Sequence, residues 1–285
     1  MNPQIVFEDK YLLTVNKPAR VVVNQAKTVT DITIQSWFVE RLGGEKKLIK
    51  IAQNNHDWEG LVTDDFSDKY GTPAEIFLQR QGIVHRLDKD TSGVLLLAKD
   101  PGTLISLLKQ FKERKTSKKY LCLVHGKMRV DSSVIRVPIA RSLTNRHKFR
   151  ADIEGRSAST HYRVLKYFNP QNFSSLFEVR EDLAGAKNKK RLLSYQQGFS
   201  LLECMPKTGR THQIRVHLSH MGHPIVSDFV YGGEKRSSLD KYWCPRQFLH
   251  SLAISFSHPA SQKKMVIKAD LTEDLQEIID TFDRN

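Results

Sequence analysis

Val94 to Ala98 form an unbroken apolar run, VLLLA, bounded by Gly93 and Lys99. A short run without polar alternation is the pattern of a strand buried on both faces. Asp100 and Pro101 follow at once as an N-cap and a first-turn proline, and Leu104, Leu107, Leu108 and Phe111 recur at helical spacing. A doubly buried strand that feeds an amphipathic helix needs cover on both sides. The chain is thereby confined to layered folds that contain both sheet and helix.

The rest of the chain fits such a fold. IVFEDKYLLTV at 4–14 reads as two strands with a turn at Glu8 to Lys10, and NKPA at 16–19 breaks the pattern with a proline. A helix is expected from Thr30 to Leu42, with Ile32, Ile34, Trp37, Phe38 and Leu42 apolar and Gly43 and Gly44 at its end. KYLCLVHG, ASTHYRVLKYF and FSLLECMP read as strands, and AISFS with KMVIKA as a hairpin. THQIRVHLSHM is expected as a short helix stopped by Gly222 and Pro224. A closing helix presents Leu271, Leu275, Ile278, Ile279 and Phe282 on one face. Segments at about 45–80 and 181–198 show no sustained period and are expected to be irregular. No repeat and no Pro/Gly/Ser-rich linker interrupts the 285 residues, so residues 1–285 are expected to form one continuous α+β domain.

A hydrophobic content of 39% with 27% charged residues excludes a wholly disordered or collagen-like chain. Cys122, Cys204 and Cys244 are odd in number and widely spaced. They build neither a disulfide framework nor a paired-cysteine zinc knuckle, which implies a reducing compartment. The first residues lack the basic end and apolar run of a signal peptide, and no segment approaches the ~18 apolar residues of a membrane span. A cytoplasmic protein is expected.

The formal net charge is +14. Between Lys112 and Arg150 twelve Lys/Arg stand against Glu113 and Asp131, a net charge of +10. Such a field steers polyanions inward and makes nucleic acid the first partner to consider. The cations are not segregated opposite bulky apolar residues on one helix, which argues against a membrane surface.

Chemistry concentrates in two strings. In HRLDKDTSG at 85–93 an Asp lies between an Arg and a Lys in a turn that leads into the buried strand. Asp88 there is either a nucleophile or base kept ionised by its neighbours, or a turn residue capping backbone N–H groups. Asp90, Thr91, Ser92 and Gly93 differ from the Asp-Thr-Gly of aspartic proteases by one residue, and no second copy supplies a carboxylate partner. Ser92 lacks the Gly-x-Ser-x-Gly elbow of hydrolases. In KTGRTHQIRVH, Arg210, His212 and Arg215 fall at a strand-to-helix junction suited to anions. His212, His217, His220 and His223 do not converge on one helical face, and no metal site is expected from them.

These strings, taken in order, resemble the RluA family of pseudouridine synthases. The resemblance rests on NKPA at 16–19, GIVHRLDKDTSGVLLLAKD at 82–100, KKYLCLVHG at 118–126, LLECMPKTGRTHQIRVHLSHMGHPIVSDFVYGG at 201–233 and LHSLAISFSHP at 249–259. It implies a pseudouridine synthase fold: a mixed, largely antiparallel sheet with flanking helices. It also implies an enzyme that converts uridine in RNA to its C5-glycoside isomer without cofactor or metal.

Asp88 is then the catalytic aspartate, which attacks the uridine or assists cleavage of its glycosidic bond. Tyr120 stacks on the base and helps remove the C5 proton, and Arg215 is the basic residue that pairs with the aspartate. Arg86 enters the helix stack when the base flips out. Together with Arg86, the residues expected against RNA are His85, Lys118, Lys119, Arg210 and His212. The cleft is expected where the HRLD loop, the Tyr120 strand and the Arg215 helix meet.

Two positions depart from the family pattern. Arg20 follows NKPA where the family usually has Gly, and Cys122 stands where a small Ala is common. No N-terminal S4-type RNA-binding domain can be fitted, so substrate choice is expected to come from the catalytic domain, its two irregular segments or a partner. The expected partner is structured ribosomal or transfer RNA, and a monomer is expected. The different reading is an RNA-binding protein that retains the fold without catalysis.

Overall fold

The computed structural model describes residues 2–26, 28–54, 71–146, 148–169 and 195–284. Among these the chain runs β1 (Gln4–Glu8), β2 (Leu12–Lys17), α1 (Ile34–Leu42), α2 (Glu45–Asn54), α3 (Pro73–Arg80), β3 (Ser92–Ala98), α4 (Pro101–Lys112), β4 (Ser117–His125), β5 (Ser132–Ile135), β6 (Ile139–Arg141), β7 (Phe149–Ala151), β8 (Thr160–Phe168), β9 (Phe199–Pro206), α5 (Gln213–His220), α6 (Glu234–Asp240), β10 (Leu249–Ser257), β11 (Lys264–Lys268) and α7 (Glu273–Arg284). The architecture is α+β, a largely antiparallel sheet with flanking helices, as the sequence suggests.

The chain divides into two compact units, Met1–Ser117 with Ser251–Asp270 and Lys118–His250 with Leu271–Asn285. Each unit is assembled from separate stretches of sequence. For that reason no linker composition marks a boundary between them.

In the first unit β1, β2, β3 and β10 follow one another in the sheet, and β11 pairs with β10. β2 runs antiparallel to β3, with Leu12 opposite Ala98 and Lys17 opposite Gly93. All seven residues of β3 are buried, the doubly covered strand that its unbroken apolar run predicts. Asp100 caps α4 by accepting the Thr103 N–H at 2.8 Å, and Leu104, Ile105 and Leu107 are buried against Val94, Leu96 and Phe77 in one core. The turn between β1 and β2 is held by Asp9, whose Oδ1 accepts the N–H groups of Tyr11 and Leu12.

Two sequence expectations change in this unit. The stretch at 45–80 is not irregular throughout, since α2 and α3 form at its two ends; residues 55–70 between them lie outside the described residues. Leu48 and Ala52 give α2 a buried face four residues apart. Thr72 caps α3 in a reciprocal capping box with Glu75, Pro73 stands in the first turn, and Ile76 and Phe77 are buried. The helix expected from Thr30 starts later, at Ile34, because Thr33 and Ser36 form a capping box there and leave Ile32 60% exposed.

In the second unit β4, β9, β8 and β5 form an antiparallel series. Tyr120 stands opposite Cys204, and Thr160 opposite Pro206. β6 and β7 form a separate two-stranded hairpin. The core gathers Cys122, Val124, Phe199, Leu202, Cys204, Leu218, Phe248 and Phe282. Cys122 is fully buried with its Sγ 3.5 Å from the Sγ of Cys204, so the larger thiol is absorbed by packing. α7 buries Leu275, Ile278 and Phe282, the expected face. Of the second expected irregular stretch, 181–194 lies outside the described residues, and Tyr195 at its end is buried. Among the described residues no helix is long and apolar enough to cross a membrane.

Candidate active site

The first unit holds the HRLD turn. Asp88 is half-buried, and its carbonyl accepts the Thr91 N–H at 3.1 Å, which closes the turn just before β3. The next residue is anchored from beneath. Lys17, fully buried at the end of β2, donates from Nζ to the carbonyls of Pro18 (2.8 Å), Val21 (3.0 Å) and Lys89 (3.1 Å). A buried ammonium is tolerated only when its donors are occupied, and here they tie the NKPA turn to the turn carrying Asp88.

Gly93, the second residue of β3, adopts φ +113° just after the turn. A Cβ there would lie 2.3 Å from the Ser251 carbonyl oxygen, so only glycine allows this approach. His85 is half-buried, with Nε2 accepting the Leu96 N–H at 3.1 Å and its ring stacked 5.1 Å from Phe111. Its ring fixes the start of the HRLD string to β3 and α4. Arg86 is exposed.

The second unit holds Tyr120, Arg215 and the remaining predicted positions. Tyr120 is half-buried on β4. Side chains alternate across a strand, so Lys118 shares its face and Lys119 points to the other. Lys119 accordingly meets Glu203 at 3.0 Å, a carboxylate that also takes Arg163 at 3.1 Å. Burial pushes the Lys118 ammonium below the ordinary lysine value. Its Nζ is the nearest atom, at 3.9 Å, to a Cβ placed on Gly209 of the KTGR turn.

That turn is stapled by Gln213, which sequence reasoning does not single out. Its Oε1 accepts the Thr208 hydroxyl (2.7 Å) and the Arg210 N–H (3.0 Å), and its Nε2 donates to the Ser159 carbonyl and the Thr160 hydroxyl, both at 3.0 Å. Arg210 Nε donates to the Ser157 carbonyl at 3.1 Å. His212 occupies the N-cap of α5 with φ +57° and makes no side-chain cap bond. His217 is fully buried between the Thr160 hydroxyl and the Val137 carbonyl, 2.9 Å from each. It pins α5 to its surroundings.

Arg215 is 6% exposed. Its Nε donates to Asp228 Oδ2 at 2.7 Å and its Nη2 to Asp228 Oδ1 at 2.9 Å, a two-pronged fork onto a fully buried carboxylate. Asp228 Oδ1 also accepts the N–H groups of Val230 (3.0 Å) and Tyr231 (3.1 Å). The residue before it, Ser227, adopts φ +57° and donates its N–H at 2.9 Å to buried Asp240, which is also bonded to His125 at 2.9 Å. Asp228 is the partner that sequence reasoning leaves out. The signal was the acid in VSDFVYGG, a single Asp in an otherwise apolar and small-residue string.

An ionisable turn fastened to a buried strand and a cation locked on a short helix are thus carried on a strongly basic α+β scaffold. The fold is similar to that of two solved human structures. RNA Pseudouridylate Synthase Domain Containing 1 matches at a TM-score of 0.62 and 22% identity, covering 100% of this chain and 96% of that one. Domain Containing 4 matches at 0.61 and 20%, covering 98% and 93%. The fold is therefore that of the pseudouridylate synthases.

Residues 11–220 match the RNA pseudouridylate synthase family. The chain is 34% identical over 278 residues to ribosomal large subunit pseudouridine synthase D of Zymomonas mobilis, covering 96% of this chain and 70% of that protein. It is 30% identical over 285 residues to an uncharacterized RNA pseudouridine synthase of Bacillus subtilis, covering 100% and 74%. It is 34% identical over 274 residues to ribosomal large subunit pseudouridine synthase C of Buchnera aphidicola, covering 94% and 67%. The chain belongs to the RluA family of RNA pseudouridylate synthases, and it is an isomerase acting on RNA.

Proposed function

We propose that this synthase isomerises specific uridines of structured RNA in the cytoplasm as a monomer, with Asp88 as its catalytic carboxylate and no metal or cofactor. The observation that supports the assignment of Asp88 is the anchoring of its turn by the buried Lys17, whose ammonium binds the carbonyl of Lys89, the residue after the aspartate, while the Asp88 carbonyl accepts the Thr91 N–H. Asp88 acts at the sugar, either attacking it or assisting departure of the base. Tyr120 supplies an aromatic face for the base and a group near its C5 proton, and Arg215 is the basic residue of the site.

A uridine within a stem is reached only after extrusion, which costs a few kcal/mol. Arg86, exposed on the HRLD turn, fits the wedge that offsets this cost, and base stacking on Tyr120 adds to it. Lys118, Arg210, His212 and the basic stretch from Lys112 to Arg150 supply phosphate contacts. His85 serves by fixing the turn. Between ribosomal and transfer RNA, the names of the relatives favour ribosomal RNA.

The test is pseudouridine mapping of total RNA from cells with and without the gene, repeated with an Asp88→Asn copy. Loss of a discrete site in the deletion, restored by wild type and not by Asp88→Asn, is the expected result. An active Asn variant would remove Asp88 from the mechanism. An unchanged map in the deletion would favour the RNA-binding protein that retains the fold without catalysis.

A further inference from the structure

The β6–β7 hairpin is attached within the second unit through a small core of its own. Ile139 of β6, Ala158 and Val216 of α5 are buried together, with Phe149, Ala151 and Tyr231 packed against them. Val216 follows Arg215 in sequence, so this cluster lies directly between the hairpin and the helical turn that carries the arginine.

Tyr231 touches both sides of that junction. Its hydroxyl accepts the Phe149 N–H at 3.0 Å and shares a 2.8 Å hydrogen bond with His212 Nδ1 at the start of α5. The Arg215 guanidinium lies over its ring, 5.0 Å from the centroid. Its backbone N–H is held by Asp228, the carboxylate that grips Arg215, and its carbonyl accepts the Ser219 hydroxyl at 3.0 Å. Tyr231 is therefore held at three points through its side chain, two toward the hairpin and helix start and one at the arginine, and at two more through its backbone. On its outer surface the hairpin exposes Arg141, Arg146 and Arg150.

We propose that Tyr231 is a positioning residue that couples the hairpin to Arg215, its hydroxyl holding the hairpin in place and its ring backing the guanidinium. The inference rests on the RNA synthase reading: phosphates draw on the outer cations of the hairpin, and the seating of the hairpin is passed through one rigid ring to the arginine. A rigid aromatic ring suits this task because it has few rotamers to lose.

The two roles separate by substitution. Tyr231→Phe keeps the ring and deletes the hydroxyl. Amide exchange at Phe149 and its hairpin neighbours is expected to accelerate in the free protein, and kcat/KM to fall about tenfold, chiefly through KM. Tyr231→Met removes the ring, and kcat is expected to fall roughly tenfold as the backing of Arg215 is lost. Should Tyr231→Met fail to fold by circular dichroism, Val216→Ala loosens the same cluster from the helix side, with the same expectation for kcat.

Unchanged hairpin exchange in Tyr231→Phe, or equal effects of the two variants on kcat and on KM, overturns the coupling. Wild-type protein that forms no pseudouridine in any RNA overturns the catalytic reading instead. The exchange comparison needs no RNA and decides the attachment of the hairpin by itself.

Discussion

Asp228 and Arg215 depend on each other because neither is solvated. Asp228→Ala leaves the Nε and Nη2 edge of a guanidinium that is 6% exposed facing a void, and it removes the acceptor of the Val230 and Tyr231 N–H groups. Breaking one side of a buried pair costs about 3–5 kcal/mol, and each unsatisfied buried N–H about 1–3 kcal/mol; the two overlap because they share one carboxylate. The expected destabilisation is about 4–6 kcal/mol. Asp228→Asn keeps an acceptor for the backbone groups but turns an amide toward the guanidinium, and about 2–4 kcal/mol is expected.

The decisive protein is the double variant Arg215→Met, Asp228→Leu. It removes both charges and fills the space with apolar volume, so stability is expected to return to within about 2 kcal/mol of wild type while product formation stays abolished. Urea unfolding followed by Trp243, which lies in the second unit, measures all three variants, and thermal melting gives a second reading of about 2–4 °C per kcal/mol. An Asp228→Ala protein within 1 kcal/mol of wild type, or a double variant no more stable than it, would refute the reasoning.

Lys17→Met deletes three donated hydrogen bonds beneath the Asp88 turn. A loss of about 3 kcal/mol and a more than tenfold fall in activity are expected; wild-type stability and rate would show that the anchor is idle. Burial pulls the His217 imidazole below its ordinary pKa of 6.5, the Val137 hydrogen bond opposes this, and His220 adds to the lowering. The unfolded chain then binds the proton first as pH falls, so this contribution to stability is present above the ordinary value and is lost as pH drops below it toward the lowered one. His217→Gln should flatten that decline, and an identical slope in both proteins would refute the assignment. RNA affinity should fall steeply with salt, at roughly 0.7–0.9 in log–log slope per neutralised phosphate, and Arg141→Ala with Arg146→Ala and Arg150→Ala should lower the slope by about 2–3. A salt-insensitive affinity would place the basic stretch away from RNA.

What was legible in the sequence followed from periodicity and from local chemistry. β3 and α4 are readable because an unbroken apolar run and an Asp-Pro cap have few other uses, and α7 because its apolar face repeats through about three turns. α2 and α3 are not legible although Thr72, Pro73 and Glu75 spell a capping box, since the polar residues around them mask short apolar faces. The site was legible where a residue type was rare in its setting, as for Asp88 in HRLDKDTSG. Gln213, Asp228 and Tyr231 lie within recognisable strings, yet nothing in those strings assigns them a task. A buried polar residue looks like a surface residue by type, and what it satisfies is fixed only when distant N–H and carbonyl groups are brought to it.

Arg20 shows how one such hidden partner changes the meaning of a visible departure. The sequence places Arg where the family usually has Gly, and the residue does adopt φ +66°, the left-handed region in which a Cβ costs about 1–2 kcal/mol. The turn is retained because its flanks are held from below: the carbonyls of Pro18 and Val21, on either side of Arg20, both accept from the Lys17 ammonium. A buried lysine with several bonds to backbone outweighs a single strained residue, so the glycine is dispensable here while Lys17 is not. The same ammonium reaches the carbonyl of Lys89, and the tolerance of NKPA toward Arg20 and the fixing of the Asp88 turn therefore have one physical cause.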